Sequence, residues 1–403
     1  MSEIPAASAS APSSGVDGRL VFMAAVACGV IVANLYYAQP LVDLIAHDLA
    51  LSPVAASSVV SLTQIGYGVG LILLAPLVDL VEARRLIAIT LGAAVLTLAA
   101  AALAPSAALF LLTSFAIGVA STAAQMLLPV VGGAAPAAVR GQVVGTVMSG
   151  LLFGILLSRP LASVLADYAG WRAVFGLSAV MMALLAPVVF AMLPKRPATG
   201  GLGYGAFIRS MGALLARHRT LRRRAAYQAA MFASFSLFWT AVPMRLAEGY
   251  GWSHSLIGLF ALAGAAGALV APWAGRLADS GRTYAGTLAA LAMSAASFAI
   301  AGLDGLLGAG VGGVAALLFG AVVLDTGVQI NMILGQRAIY GLDEAARGRI
   351  NGLYVAILFF GGAAGSAMVS PLMQAFGWPG VAAVGTLLPL VALAFAAGDA
   401  GRA

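Results

Sequence analysis

Charge is what this sequence is short of. Only 9% of its 403 residues are Asp, Glu, Lys or Arg, 62% are hydrophobic, and the mean hydropathy is +1.02. Soluble domains carry about a quarter charged residues, so a chain this poor in charge needs lipid as its main solvent. One cysteine, Cys28, rules out an intrachain disulfide, and its hydrophobic surroundings assign it to packing. It does not fit a lipid-attachment site, because Ala25 stands where Leu is preferred and no basic segment precedes it. The three histidines, His47, His218 and His254, lack metal-ligand spacing, and no Gly-Lys-Ser/Thr phosphate loop is present. Metal, cofactor and direct use of ATP are therefore not expected. With no cluster of catalytic groups, neither is an enzyme.

What is abundant is apolar sequence in long pieces. Segments recur near 20–45, 55–80, 86–104, 107–131, 143–166 and 172–193, then near 225–247, 254–278, 283–303, 314–338, 350–370 and 378–397. Each suits a membrane crossing of about 20 residues. A backbone in hydrocarbon must satisfy its own hydrogen bonds, which selects helices, and the alternation of a β-barrel is absent. The expected fold is an all-α membrane protein with twelve transmembrane helices in two pseudo-symmetric six-helix bundles, at 19–194 and 225–397. Residues 1–18, rich in Ala, Ser and Pro, read as a disordered tail, and 398–403 as a short second tail. The linker at 195–224 runs from Lys195-Arg196-Pro197 to Arg217, Arg219, Arg222, Arg223 and Arg224. Its later part, from Phe207 to Leu215, suits an amphipathic helix on the membrane surface.

The net charge of +7 would fit nucleic acid were it not so unevenly placed. With both termini cytoplasmic, eighteen of the 21 Lys and Arg fall on one side, all but Arg159, Arg172 and Arg245. The opposite connections carry Asp43, Asp48, Asp167, Glu248 and Asp304. This positive-inside asymmetry requires an even number of spans. The charge is a topology signal, so the partner expected is membrane lipid, with no nucleic acid, around a monomer.

The two halves repeat each other. Ala75-Pro76-Leu77-Val78-Asp79 matches Gly275-Arg276-Leu277-Ala278-Asp279 at an offset of 200 residues. Arg140-Gly141 matches Arg347-Gly348, and Gly170-Trp171 matches Gly377-Trp378, each at 207. Two six-helix units of like topology enclose a shared cavity. On these motifs the whole chain resembles the major facilitator superfamily, whose signature after the second helix is Gly-x-Leu-Ala-Asp-Arg-x-Gly-Arg-Arg/Lys. The first copy keeps Leu77, Asp79, Arg84 and Arg85; the second keeps Gly275, Leu277, Ala278, Asp279, Gly281 and Arg282. Asn34-Leu-Tyr36-Tyr37-Ala-Gln39-Pro40, Gly145-x-x-Met148-Ser149-Gly150, Arg159-Pro160 and Gly170-Trp171-Arg172 look like a bacterial efflux-permease branch. The chain departs from the branch's antiporters where Ser114 precedes Gly118 and where Arg159-Pro160 leads to Ser163. The resemblance implies a secondary active transporter of the bacterial inner membrane, with a small-molecule cargo and protons as partners: proton-coupled export of a drug, sugar or metabolite, or import in symport with protons. A sensor or scaffold with the same fold usually appends a soluble domain, for which these loops leave no room.

Several residues carry these expectations. Asp325, mid-membrane in the tenth span, costs about 2.5–3.5 kcal/mol to insert, so it should face a partner or water, and it is the candidate for proton exchange. Gln329, four residues on, shares its face. Arg159 either attracts an anionic cargo, neutralises Asp325 or Asp43, or reaches the outer interface along its stem. The resemblance puts spans 1, 4, 7 and 10 along the path, offering Asn34, Tyr37, Gln39, Ser121, Gln125, Gln228, Trp239 and Asn331, each suited equally to cargo or to helix contacts. For gating, repeat symmetry sets Asp79 (with Arg84) against Arg347 and Asp279 (with Arg282) against Arg140. A carboxylate there would meet the positive end of a helix in the other half. Gly361, Gly362 and Gly365 suit close packing or a bend in span 11.

Overall fold

The computed structural model describes residues 17–136, 139–195, 203–344 and 346–398. The expected tails lie almost wholly outside these residues. Asp17 is described: its side chain accepts a hydrogen bond from Arg19 N and starts the first helix. Twelve helices form the body: α1 (Gly18–Ala33), α2 (Pro53–Val78), α3 (Ala83–Ala102), α4 (Ala107–Ala134), α5 (Arg140–Ala169), α6 (Trp171–Met192), α7 (Arg219–Tyr250), α8 (His254–Asp279), α9 (Thr283–Leu307), α10 (Val311–Tyr340), α11 (Arg347–Ala367) and α12 (Val369–Ala397). Eleven of them, α2 to α12, are long and apolar enough to cross a bilayer, and no strand occurs among the described residues. The protein is an all-α multi-pass membrane protein.

Two expected boundaries need correction. The first span is not one helix over 20–45: α1 stops at Ala33, residues 34–38 turn, Gln39–Leu41 form a 3-10 turn and Val42–Asp48 a short helix. Pro40, with no N–H to donate, sits at that turn. The seventh helix starts at Arg219 rather than 225, so Arg219, Arg222, Arg223 and Arg224 of the expected linker form its first turns; Arg222 bonds the carbonyls of Leu215 and Ala216, and Arg224 the Thr287 hydroxyl of α9. The eighth span keeps its expected bounds, but a 3-10 turn at Ala261–Gly264 interrupts it. An amphipathic helix, Tyr204–Arg217, does form in the linker, burying Met211 and Leu214.

The pairing of helices repeats in the two halves. In the first, α1 packs on α5, α2 on α4, α3 on α6 and α3 on α4; in the second, α7 packs on α11, α8 on α10, α9 on α12 and α9 on α10. Small residues make the first pairing possible. A Cβ added to Gly150 would lie 2.2 Å from Ala25 O, and one on Gly154 2.1 Å from Gly29 O. In the other bundle Gly361 and Gly365 meet Ala229 O and Ala233 O at 2.3 and 2.0 Å. These glycines bring backbones together; α11 is unbroken through both, so they do not bend it. The Gly-Trp landmarks coincide as well. Gly170 (φ 78°) and Gly377 (φ 61°) both take a positive φ, which only glycine adopts cheaply; Gly170 turns the chain into Trp171 at the start of α6, and Gly377 breaks α12 so that a new helical segment starts at Trp378.

Arg140 and Arg347 also play equivalent parts. Arg140 Nε donates to Gly132 O at 3.1 Å and its Nη2 to Ala135 O at 3.4 Å, closing the end of α4. Arg347 Nε donates to Tyr340 O at 3.1 Å, closing the end of α10. A cation over the last carbonyls of a helix is electrostatically favourable.

Candidate functional site

The bundles meet along two seams, α2 on α11 and α5 on α8, which the repeat interchanges. In the α2–α11 seam the Ser61 and Ser366 hydroxyls bond at 2.9 Å and the Tyr67 ring lies 4.5 Å from that of Phe359, while Gln64 Nε2 of α2 donates to Ser236 Oγ of the adjoining α7 at 2.8 Å. In the α5–α8 seam contact is confined to the half away from the linker. There Asp167 accepts from Ser255 N at 2.7 Å and from its hydroxyl, His254 Nε2 lies 3.8 Å from Asp43, and Gly258 packs on Pro160 and Ser163. Toward the linker, the second half of α8 (Ala265–Asp279) packs on α10 and not extensively on α5, nor does the end of α4 (Ala123–Ala134) pack on α10 or α11. In the α5–α8 seam the bundles are thus joined away from the linker and parted toward it, whereas the α2–α11 seam stays in contact as far as Leu71 and Gly352. Gln142, Thr146 and Ser149, an exposed polar stripe at helical spacing, run along the linker half of α5.

Where the seams converge lies a buried polar chain. Arg159 (α5, 3% exposed) donates from Nε to Gln39 Oε1 at 2.8 Å. Its guanidinium carbon lies 4.6 Å from the Trp239 ring, 5.0 Å from Tyr36 and 5.5 Å from Phe235. Trp239 (α7) donates from its indole nitrogen to Asp325 Oδ1 (α10) at 2.9 Å. The 3-10 turn of α8 leaves room for that carboxylate, since a Cβ on Gly264 would stand 2.8 Å from Asp325 Oδ2. A buried cation of the first bundle and a buried acid of the second are therefore linked through one indole. Arg159 forms no ion pair with either acid the sequence offered among the described residues. Asp43 is next to His254, Asp325 is held off by the ring, and the arginine is buried rather than reaching the interface.

The other candidates fall into local pairs. Asn34 Oδ1 accepts from Ser178 at 2.5 Å, and Tyr37 also bonds Ser178. Gln228 Oε1 accepts from Asn331 at 2.7 Å. Ser121 donates back to Ile117 O at 2.7 Å, a bond within its own helix, and Gln125 bonds Tyr67. Gln329 is half-buried on α10, near Asp325 in sequence but outside the chain just described. The cross-bundle gating pair is not formed in this conformation. Asp279 bonds Arg337 of α10 at 2.8 Å while Arg140 caps α4. Arg84 lies 3.5 Å from Glu82 and over the Phe190 ring, and Arg282 is exposed. The side chain of Asp79 lies outside the described residues. The seam residues Gln64, Ser236 and Ser366 were missed in the sequence. One polar residue on each of α2, α7 and α11 carries no spacing signal until the three helices are laid together.

On the face away from the linker both remaining cations are neutralised within their own bundle, Arg172 by Asp48 and Arg245 by Asp304 at 2.7 Å. Asp304 is fully buried and also accepts from Tyr250. The excess positive charge is left on the linker face.

A family model described as Major Facilitator Superfamily matches residues 21–366. The chain is 39% identical over 384 residues to Uncharacterized transporter YgaY of Escherichia coli O157:H7, covering 95% of this chain and 96% of that one. It is 35% identical over 376 residues to Probable transporter SCO4007 of Streptomyces coelicolor, covering 92% and 85%. Among solved structures it is similar to a peptide transporter POT in complex with sulfate (TM-score 0.74, 16% identity, 97% of each chain). It is also similar to a bacterial homolog of the human lysosomal transporter Spinster in an inward-facing, unoccupied conformation (TM-score 0.71, 12% identity, 95% of each). At these identities the structural likeness is one of fold.

Proposed function

The chain belongs to the major facilitator superfamily and is a transporter, and from that premise we propose that it moves a small organic compound across the bacterial inner membrane by alternating access, coupled to protons, with export as its working direction. One observation carries the reading: Asp325 and Arg159, buried and contributed by opposite bundles, share Trp239 where the bundles touch. A carboxylate there is held at a cost of a few kcal/mol, and such residues mark ion and substrate pathways. Proton uptake removes its charge, weakens the attraction across the indole and lets the bundles rock; release restores it. Export is the direction of the efflux-like motifs around Asn34–Pro40 and Arg159-Pro160. Symport with protons is the second reading, favoured because a charged Asp325 competes with an anionic cargo for Arg159. Everted vesicles decide between them, using a labelled compound from a ligand-stabilisation screen. Antiport export accumulates it when the lumen is the more acidic side, symport when the medium is. Accumulation indifferent to either gradient excludes proton coupling.

With the basic linker face cytoplasmic and both termini on it, the conformation described is open to the cytoplasm. In the opposite state Asp279 would meet Arg140 and Asp79 would meet Arg347, each carboxylate at the start of a helix of the other bundle. Paired cysteines test this in a Cys28→Ser background. Asp167→Cys with Ser255→Cys cross-links in the resting protein, whereas Arg140→Cys with Asp279→Cys cross-links only after the outer face is driven open. The reverse pattern at rest would overturn the assignment.

A further inference from the structure

We propose that the cargo is an organic monoanion, a carboxylate on an apolar body, gripped by Arg159 and Gln39; this rests on the transporter reading above in its symport form, because protonation of Asp325 frees Arg159 for such an anion. Two donors in the buried chain are unspent. Arg159 Nη2 and Gln39 Nε2 have no hydrogen-bond partner, although the residues are only 3% and 1% exposed. Their relative placement is fixed, because Arg159 Nε holds Gln39 by its amide oxygen and so leaves the amide's NH2 free. A buried donor without an acceptor is costly, most of all on a charged group. Two such donors on neighbouring side chains form a site lacking only its acceptor.

The acceptor's chemistry follows from what surrounds it. The guanidinium has no carboxylate at ion-pair distance among the described residues, so one positive charge is available, and its planar fork suits the paired oxygens of a carboxylate. The one nearby acid, Asp325, is already engaged by Trp239 on the far side of that ring. Tyr36, Phe235 and Trp239 wall the site with aromatic faces, which suits an apolar or aromatic body behind the anionic head. A cationic cargo would meet Arg159 head on. A doubly charged phosphate would be only half neutralised. Approach is from the linker side, where α5 and α8 are parted and the polar stripe of Gln142, Thr146 and Ser149 lines α5.

The test uses four probes of one shape on the purified full chain in lipid nanodiscs: benzoate, phenylphosphonate, benzamide and benzylammonium. Binding is read by tryptophan fluorescence and by thermal shift. Benzoate is expected to bind at least tenfold tighter than each of the other three. Arg159→Gln should erase the preference for benzoate over benzamide. Gln39→Leu, which keeps the guanidinium, should weaken benzoate severalfold and benzamide little, and it serves if the arginine variant fails to fold. Benzylammonium or benzamide binding as tightly as benzoate, no saturable benzoate binding into the millimolar range, or a preference that survives in both variants would each overturn the proposal; tighter binding of phenylphosphonate would do so too. Failure of the transport reading looks different. Selective benzoate binding without flux in proteoliposomes keeps the site and sinks coupled transport, whereas proton-driven flux of a cation sinks the site and keeps transport.

Discussion

Replacing Asp325 with Asn abolishes transport driven by a pH gradient, bringing flux down to the level measured with the gradient collapsed, while the protein still folds and inserts. The substitution keeps an oxygen to accept from the Trp239 indole, so the 2.9 Å bond can persist. What is lost is the group that gains and loses a proton. Folding should not suffer, because an amide avoids the cost of about 2.5–3.5 kcal/mol that a carboxylate carries at mid-membrane. Cargo exchange down its own gradient is therefore expected to continue. The measurement is a pair of proteoliposome assays on the same preparation, gradient-driven uptake and counterflow. Undiminished gradient-driven uptake would remove Asp325 as the coupling acid. Loss of both activities with normal thermal stability would make it a cargo ligand instead.

The second large effect is on stability, and it contrasts two glycines nine residues apart on α5. Gly154→Ala should lower the thermal midpoint and the yield of folded protein, whereas Gly145→Ala should leave both unchanged or slightly raised. A Cβ at position 154 would stand 2.1 Å from the backbone oxygen of Gly29, and backbone cannot yield as a side-chain tip can. To admit it, α1 and α5 must separate along their contact, which overpacking data put at about 1–3 kcal/mol or more. At Gly145 there is open space, and Ala is the better helix former by about 1 kcal/mol. The same loss is expected at Gly365, whose added Cβ would lie 2.0 Å from Ala233 O. Equal thermal midpoints for Gly154→Ala and Gly145→Ala would mean that the close α1–α5 approach contributes nothing to stability.

Much of the candidate site consists of residues that are conspicuous before any helix is placed. Asp325, Arg159, Gln39 and Trp239 each stand out as polar or aromatic groups in apolar runs. Their connection was not visible, because it depends on how far α1, α5, α7 and α10 are rotated and staggered, and hydropathy is blind to both. Arg159 offered three environments and the fold supplied a fourth: an amide on one side and three aromatic rings on the other. Gly361 and Gly365 fit a bend as well as a contact; only the α7 backbone lying against them decides for contact. The start of α7 was hidden for another reason. Arg219, Arg222, Arg223 and Arg224 look like loop in a charge count, yet a helix end at a membrane surface accommodates their long stems.

The sequence alone determined the number of crossings, their helical form, the duplication and the basic face. Each follows from local rules: lipid compels every backbone group to bond within its own segment, and positive charge sorts to one side whatever the packing. The tertiary structure alone decided which charges meet and which mouth is closed. Cross-bundle contacts join residues far apart in the chain, as Asp167 joins Ser255 and Gln64 joins Ser236. A pseudo-symmetric pair of bundles can close at either face with the same local sequence, so the choice between them exists only once the halves are packed together.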